Sequence, residues 1–129
     1  MQRLASCCCG QLQLTCTGDP IRISVCHCHA CQQRTGSAFG VQARFPAANV
    51  TVRGEATTYV RTGDDGYRIS FRFCPTCGST VYYTADYLDG AIAISVGSFA
   101  DNTFPPPRVE VYTHRRHPWL SLAGTKQED

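Results

Sequence analysis

Apolar and polar residues alternate with a period of two along most of this chain, the signature of strands with one buried face. In Gln11–Cys16, the residues Leu12, Leu14 and Cys16 share a side. Ile21, Ile23 and Val25 alternate with Arg22 and Ser24 and lead straight into Cys26. Val41, Ala43 and Phe45 repeat the pattern, as do Val50 and Val52. The longest alternation sets Tyr67, Ile69, Phe71 and Phe73 against Arg68, Ser70 and Arg72. Shorter runs follow at 81–83, 91–96 and 108–112. Turn signals separate them: Gly18-Asp19-Pro20, Gly63-Asp64-Asp65-Gly66, Leu88-Asp89-Gly90 and the prolines at 105–107. Only Ala30 to Arg34 reads as helical, for about one turn. The pattern predicts an all-β fold of short antiparallel strands, with residues 1–123 as one domain and 124–129 as a frayed tail.

Composition narrows the class. The 129 residues carry 43% hydrophobic and 17% charged side chains, which suits a folded domain rather than a disordered chain. A formal charge of +2 is too small to advertise a nucleic-acid or membrane partner. If seven cysteines were thiolates around two Zn2+ ions, that charge would turn slightly negative. The opening MQRLASCCCG has no apolar targeting core, and no later run reaches membrane-spanning length. A cytoplasmic location is the default expectation. In a reducing compartment, nine cysteines point to metal or catalysis more than to disulfides.

The cysteines fall into clusters. Cys7-Cys8-Cys9-Gly10, if extended, projects Cys7 and Cys9 to one side and Cys8 to the other. Cys74-Pro75-Thr76-Cys77-Gly78 is a C-x-x-C-G knuckle, which places two thiolates on one ion. Cys7, Cys9, Cys74 and Cys77 would together close a four-cysteine site. Cys26, Cys28 and Cys31 would then stand alone. Zinc held by three protein ligands keeps its fourth position for water or substrate, the arrangement of catalytic zinc. Spacing leaves a competing assignment open, in which Cys28-x-x-Cys31 joins Cys74-x-x-Cys77 as an ordinary zinc ribbon. On an extended strand His27 and His29 point away from Cys26 and Cys28, so a surface or supporting role fits them better than ligation. Cys16 reads as a buried structural thiol, and Cys8 has no evident role.

These motifs resemble the family of glutathione-dependent formaldehyde-activating enzymes, which shares its domain with centromere protein V. The resemblance covers nearly the whole chain. CCCG at 7–10 is similar to the family's C-x-C-G opening, although Ser6 stands where a glycine is common. CHCHACQQRTGSAF at 26–39 is similar to its C-x-C-x-x-C segment, and FRFCPTCGSTVYY at 71–83 to its F-C-x-x-C-G element. VGSFAD at 96–101 and RRHPWLSL at 115–122 match weaker signatures. The resemblance implies a zinc-stabilised, Mss4-like β fold with two Zn2+ per chain. It implies Cys7, Cys9, Cys74 and Cys77 as structural zinc ligands, and Cys26, Cys28 and Cys31 as ligands of a catalytic zinc. It thereby favours two sites over the ribbon.

The activity so implied is that of a carbon–sulfur lyase: a glutathione-type thiol binds at the open zinc and adds to a small aldehyde such as formaldehyde. Zinc lowers thiol pKa values, so a nucleophile forms at neutral pH without a redox cofactor. Glutathione's carboxylates would need partners, and Arg34, Arg44, Arg68, Arg72, Arg115 and Arg116 form the available pool. Phe39 and Trp119 would either wall the site or pack in the core. Two readings compete. One is a thiol-binding protein without catalysis, and the other is a zinc-ribbon interaction module. The lack of a basic run longer than Arg115-Arg116 weighs against the module.

Overall fold

The computed structural model describes residues 1–128 of the chain. In chain order its strands are β1 (Gln2–Ser6), β2 (Gln13–Thr17), β3 (Arg22–Cys26), β4 (Gly40–Pro46), β5 (Val50–Arg53) and β6 (Thr57–Thr62). They continue with β7 (Arg68–Phe73), β8 (Thr80–Ala85), β9 (Ala91–Ser95), β10 (Val109–Val111) and β11 (Lys126–Gln127). One α-helix, α1 (His29–Thr35), lies between β3 and β4. The fold is all-β.

The strands form two sheets. A small one has the order β1-β2-β5, and a large one has the order β11-β10-β3-β4-β9-β8-β7-β6. Pairing is antiparallel except at one end, where β10 runs parallel to β3 and to β11.

The two faces of the large sheet have different work. On β4, Ala43 and Phe45 face the small sheet and pack with Ala5, Leu14 and Cys16. The alternate residues Gln42 and Arg44 face the other way. On β3, Ile23 joins the core while Arg22, Ser24 and Cys26 share the opposite face. β9 splits Ile94 from Ala93 in the same manner, and β8 splits Tyr82 from Tyr83. A register shift between β7 and β8 at Arg72/Phe73 lets Val81 and Tyr82 both reach the core. Ile69, Phe71, Tyr83, Leu88 and Ala93 form a second apolar cluster on the far face. Cross-strand register then lays out a floor running Arg44, Ala93, Tyr83, Phe71 from β4 through β9 and β8 to β7.

The period-two runs at 12–16, 41–45 and 67–73 fall on β2, β4 and β7. Three strands have no such signal. In β1 only Ala5 is buried, and Leu4 is exposed. β6 closes an edge of the large sheet with almost every residue exposed. β11 lies in the tail expected to fray. Its placement along β10 is reinforced by the ion pair of Arg22 with Glu128, at 2.7 Å.

Phe45 is fully buried between the sheets, with its ring 6.1 Å from that of Phe99. Phe45→Ala is expected to cost about 3–5 kcal/mol of stability. Urea titration checks this: the midpoint should fall with the slope unchanged.

Candidate metal centres and cleft

The first cluster joins both ends of the domain's core. Cys7 and Cys9 follow β1 in a turn closed by Gly10 N–H donating to the Cys7 carbonyl at 3.1 Å, with Gly10 at φ +85°. Cys74 and Cys77 follow β7 in a knuckle, where Gly78 N–H donates to the Cys74 carbonyl at 2.8 Å and has φ +81°. The four Sγ atoms lie within 4.8 Å of one another. Cys7 and Cys9 are 3.6 Å apart at sulfur, and Cys9 and Cys74 are 3.7 Å apart. Those separations are far too long for disulfides. They match the roughly 3.8 Å edge of a tetrahedron with Zn–S bonds of about 2.3 Å.

The surroundings suit thiolates. Backbone N–H groups of Leu12, Thr76 and Cys77 point at Cys7 and Cys74 sulfurs at 3.3–3.5 Å, and Gln11 Nε2 donates to Cys74 Sγ at 3.0 Å. Hydrogen bonds from the side chain and then the backbone of Ser79 help hold the Cys77 thiol down at about 5. The residues fit a structural zinc.

The second cluster is Cys26, Cys28 and Cys31, whose sulfurs also lie within 4.8 Å of one another. Cys26 ends β3 on the far face of the sheet. Cys28 is the N-cap of α1: its sulfur accepts the Cys31 N–H at 3.3 Å, as a serine or aspartate oxygen does at other helix starts. Cys31 follows in the first turn. Gly40 sits directly across from Cys26 on β4, and the Arg34 and Gln42 side chains come up against its Cα.

Three sulfurs this close cannot all carry a negative charge unaided. Hydrogen bonds from Cys26 and then Cys31 hold the Cys28 thiol far below its ordinary range. The same contacts, with burial, push the Cys26 thiol up. A dication would lift this restriction and let all three ionise. Their donor set fits zinc with one position left open. Cys28 and Cys31 thus belong to a different cluster from Cys74 and Cys77, so the two C-x-x-C pairs do not meet as a ribbon. Cys16 is buried with Leu12 and Leu14, and burial raises its thiol to about 11. Cys8 is exposed, with its backbone N–H on Ser79 Oγ at 3.2 Å.

His27 and His29 take different routes away from the triad. His29 is exposed and its Nδ1 accepts from Arg115 at 2.7 Å. His27 is fully buried, and its Nε2 donates to Glu110 Oε1 at 2.7 Å. Glu110 also accepts from Arg116 at 3.3 Å and from Thr125. Gln32 Nε2 donates to the His27 carbonyl at 2.9 Å and to the Arg115 carbonyl at 3.3 Å. The turn carrying Cys26 and Cys28 is therefore tied to β10 and the segment after it.

The triad lies at one side of a cleft of about 840 Å³ on the far face of the large sheet. Arg22, Arg34, Arg44, Arg61 and Arg115 line it, against Asp64, Asp65 and Glu128. Arg34, Arg44 and Arg115 came from the pool expected on sequence grounds. Arg68, Arg72 and Arg116 lie elsewhere. Arg22 and Arg61 had no local signal: register alone sets Arg22 across from Arg44 and Arg61 across from Ile69. Gln42 and Tyr83 also line the cleft; Gln42 lies outside every motif, and Tyr83 ends the element at 71–83 without having been singled out. Trp119 is 71% exposed and stacks on His117, away from the cleft. Phe39 packs toward His27, with ring centroids 6.0 Å apart, and lines a separate cavity.

Residues 2–115 match the family model described as glutathione-dependent formaldehyde-activating enzyme. The chain belongs to this family. A crystal structure of a Rhodobacter sphaeroides protein is similar, with a TM-score of 0.58 at 19% identity over 80% of this chain and 91% of that one. At that identity the likeness speaks for the fold. No curated protein matches the chain. Among the described residues no helix is long and apolar enough to cross a membrane. Among the described residues, the two cysteine clusters are the groups that could hold metal.

Glu110 gives a pH-dependent prediction. Burial alone would raise its carboxyl, but hydrogen bonds from Thr125, His27 and Arg116 prevail and hold it below the ordinary carboxylate value. A depressed carboxylate stabilises the fold above the unfolded-state value of about 4.3 and loses that contribution as pH falls through the lower folded value. Wild type should therefore lose more stability than Glu110→Gln below about pH 4.5. Urea midpoints of both proteins from pH 6 to pH 3 check the sign.

Proposed function

We propose that this protein adds a glutathione-type thiol to a small aldehyde, with Cys26, Cys28 and Cys31 holding a catalytic Zn2+. Cys7, Cys9, Cys74 and Cys77 hold a structural Zn2+. The observation that carries the reading is the placement of a three-sulfur cluster beside a cleft lined by five arginines, in a member of a formaldehyde-activating family. When bound, the catalytic ion would lower the pKa of an incoming thiol so that it reacts as thiolate near neutral pH.

The chain's own residues do the rest. Arg44 and Arg61 attract a thiol bearing carboxylates. Arg22 is neutralised by Glu128, whereas Arg44 and Arg61 have no carboxylate within ion-pair distance among the described residues. Arg44 and Arg61 stack over Tyr87 and Phe71 at 5.8 Å, and both line the cleft. Gln32 and the His27–Glu110 pair fix the cysteine-bearing turn, so the sulfurs keep their geometry as substrate enters. The new bond joins the thiolate sulfur to the carbonyl carbon, and the carbonyl oxygen becomes a hydroxyl. The reaction needs no oxidant.

Thiols add to formaldehyde unaided, so catalysis is a rate above that background. Zinc-loaded protein should accelerate adduct formation from glutathione and formaldehyde over buffer at equal thiol. Cys28→Ser should stay folded and lose both thiol binding and acceleration. Thiol binding without acceleration would mark a binding protein, and an unfolded Cys28→Ser variant would make that sulfur structural.

A further inference from the structure

The cleft contains a polar pair that the thiol does not account for. Arg34, in the last turn of α1, brings Nη2 to 3.7 Å from Cys31 Sγ. Its guanidinium lies over the Phe71 ring at 5.2 Å and the Tyr83 ring at 5.9 Å, which fixes its orientation on the cleft floor. Its Nε is buried without a hydrogen-bond partner.

Gln42, on β4, is 6% exposed. Its Oε1 is buried and has no hydrogen-bond partner. A lone buried amide oxygen is destabilising, a penalty a bound hydrogen donor would relieve.

Gly40 brings the two together. A Cβ at that position would lie 3.1 Å from both Arg34 Nη2 and Gln42 Oε1, and 3.5 Å from Cys31 Cβ. A fixed cationic donor and a free acceptor therefore converge beside the triad, in the same cleft. A thiolate sulfur has no hydroxyl to satisfy such a pair. The oxygen of an aldehyde does, because addition turns it first into an anion and then into a hydroxyl.

Resting on the thiol-addition reading above, we propose that Arg34 and Gln42 form the subsite for the electrophile's oxygen. As sulfur bonds to the carbonyl carbon, the carbonyl π electrons move to oxygen and the Arg34 guanidinium takes up the negative charge. The proton released by the thiol passes to solvent, and one from water neutralises the oxygen. Gln42 Oε1 then accepts the hydrogen of the resulting hydroxyl. Atoms balance as thiol plus aldehyde giving one hydroxyalkyl thioether, with no net oxidation.

The test compares wild type, Arg34→Met, Arg34→Lys and Gln42→Leu, all zinc-loaded. Thermal unfolding and zinc per chain verify that each is intact. Calorimetry reads glutathione binding, and stopped flow reads the addition to formaldehyde. Arg34→Met should bind glutathione as wild type does while its addition rate falls about 10²-fold, the cost of one oxyanion donor. Arg34→Lys should recover part of that rate. Gln42→Leu should leave the addition rate near that of wild type and release the hydroxyl-bearing adduct faster, again with thiol affinity kept.

Loss of thiol affinity by the same factor as the rate would overturn the proposal and make Arg34 an anchor for the thiol's carboxylate. An unchanged rate in Arg34→Met would overturn it as well. If wild type itself neither binds thiol nor accelerates addition, the parent reading fails, and that outcome is distinct from both.

Discussion

Successive side chains on a strand point to opposite faces, and the large sheet of this protein uses both. Its near face must bury Ile23, Ala43, Phe45 and Ile94 against the small sheet. Once that register is set, Arg22, Ser24, Cys26, Gln42 and Arg44 have no choice but to share the other face. A slip of one residue in β4 would bury Arg44 and expose Phe45, so the core holds the cleft in register. The chemistry-bearing residues are thus placed by the packing of their neighbours.

The two cysteine clusters divide along the same line. Cys7 and Cys74 are buried members of the core, and the four-sulfur cluster binds the turn after β1 to the turn after β7. A metal held there would contribute folding free energy to a domain of modest size. Cys26, Cys28 and Cys31 stand instead at a strand end and a helix start that open onto the cleft. The first cluster offers four sulfurs and the second three, with the cleft beside them.

Much of this was legible in the sequence, for identifiable reasons. A half-buried strand writes a period of two, so β2, β4 and β7 could be read directly. Thiolates that share an ion must be brought close by tight turns, so C-x-C and C-x-x-C spacings stand out. β6 could not be read, because an exposed edge strand such as Thr57–Thr62 buries no face to pattern. β11 escaped for a different reason: two residues pairing with β10 leave no local trace. Arg61, Gln42 and Tyr83 reach the site from strands distant in sequence, through register that no spacing encodes. His27 was harder still. Sitting between two cysteines it suggested a surface or supporting role, and only the long-range partner Glu110, from β10, explains its full burial.

The central claim is that the chain holds one closed and one open metal site. Zinc per chain, measured by elemental analysis after zinc addition and removal of excess, tests it most directly. The account predicts about two zinc ions in wild type and about one when Cys26, Cys28 and Cys31 are all replaced by serine. A wild-type value that stays near one after loading, unchanged in the triple variant, would contradict it.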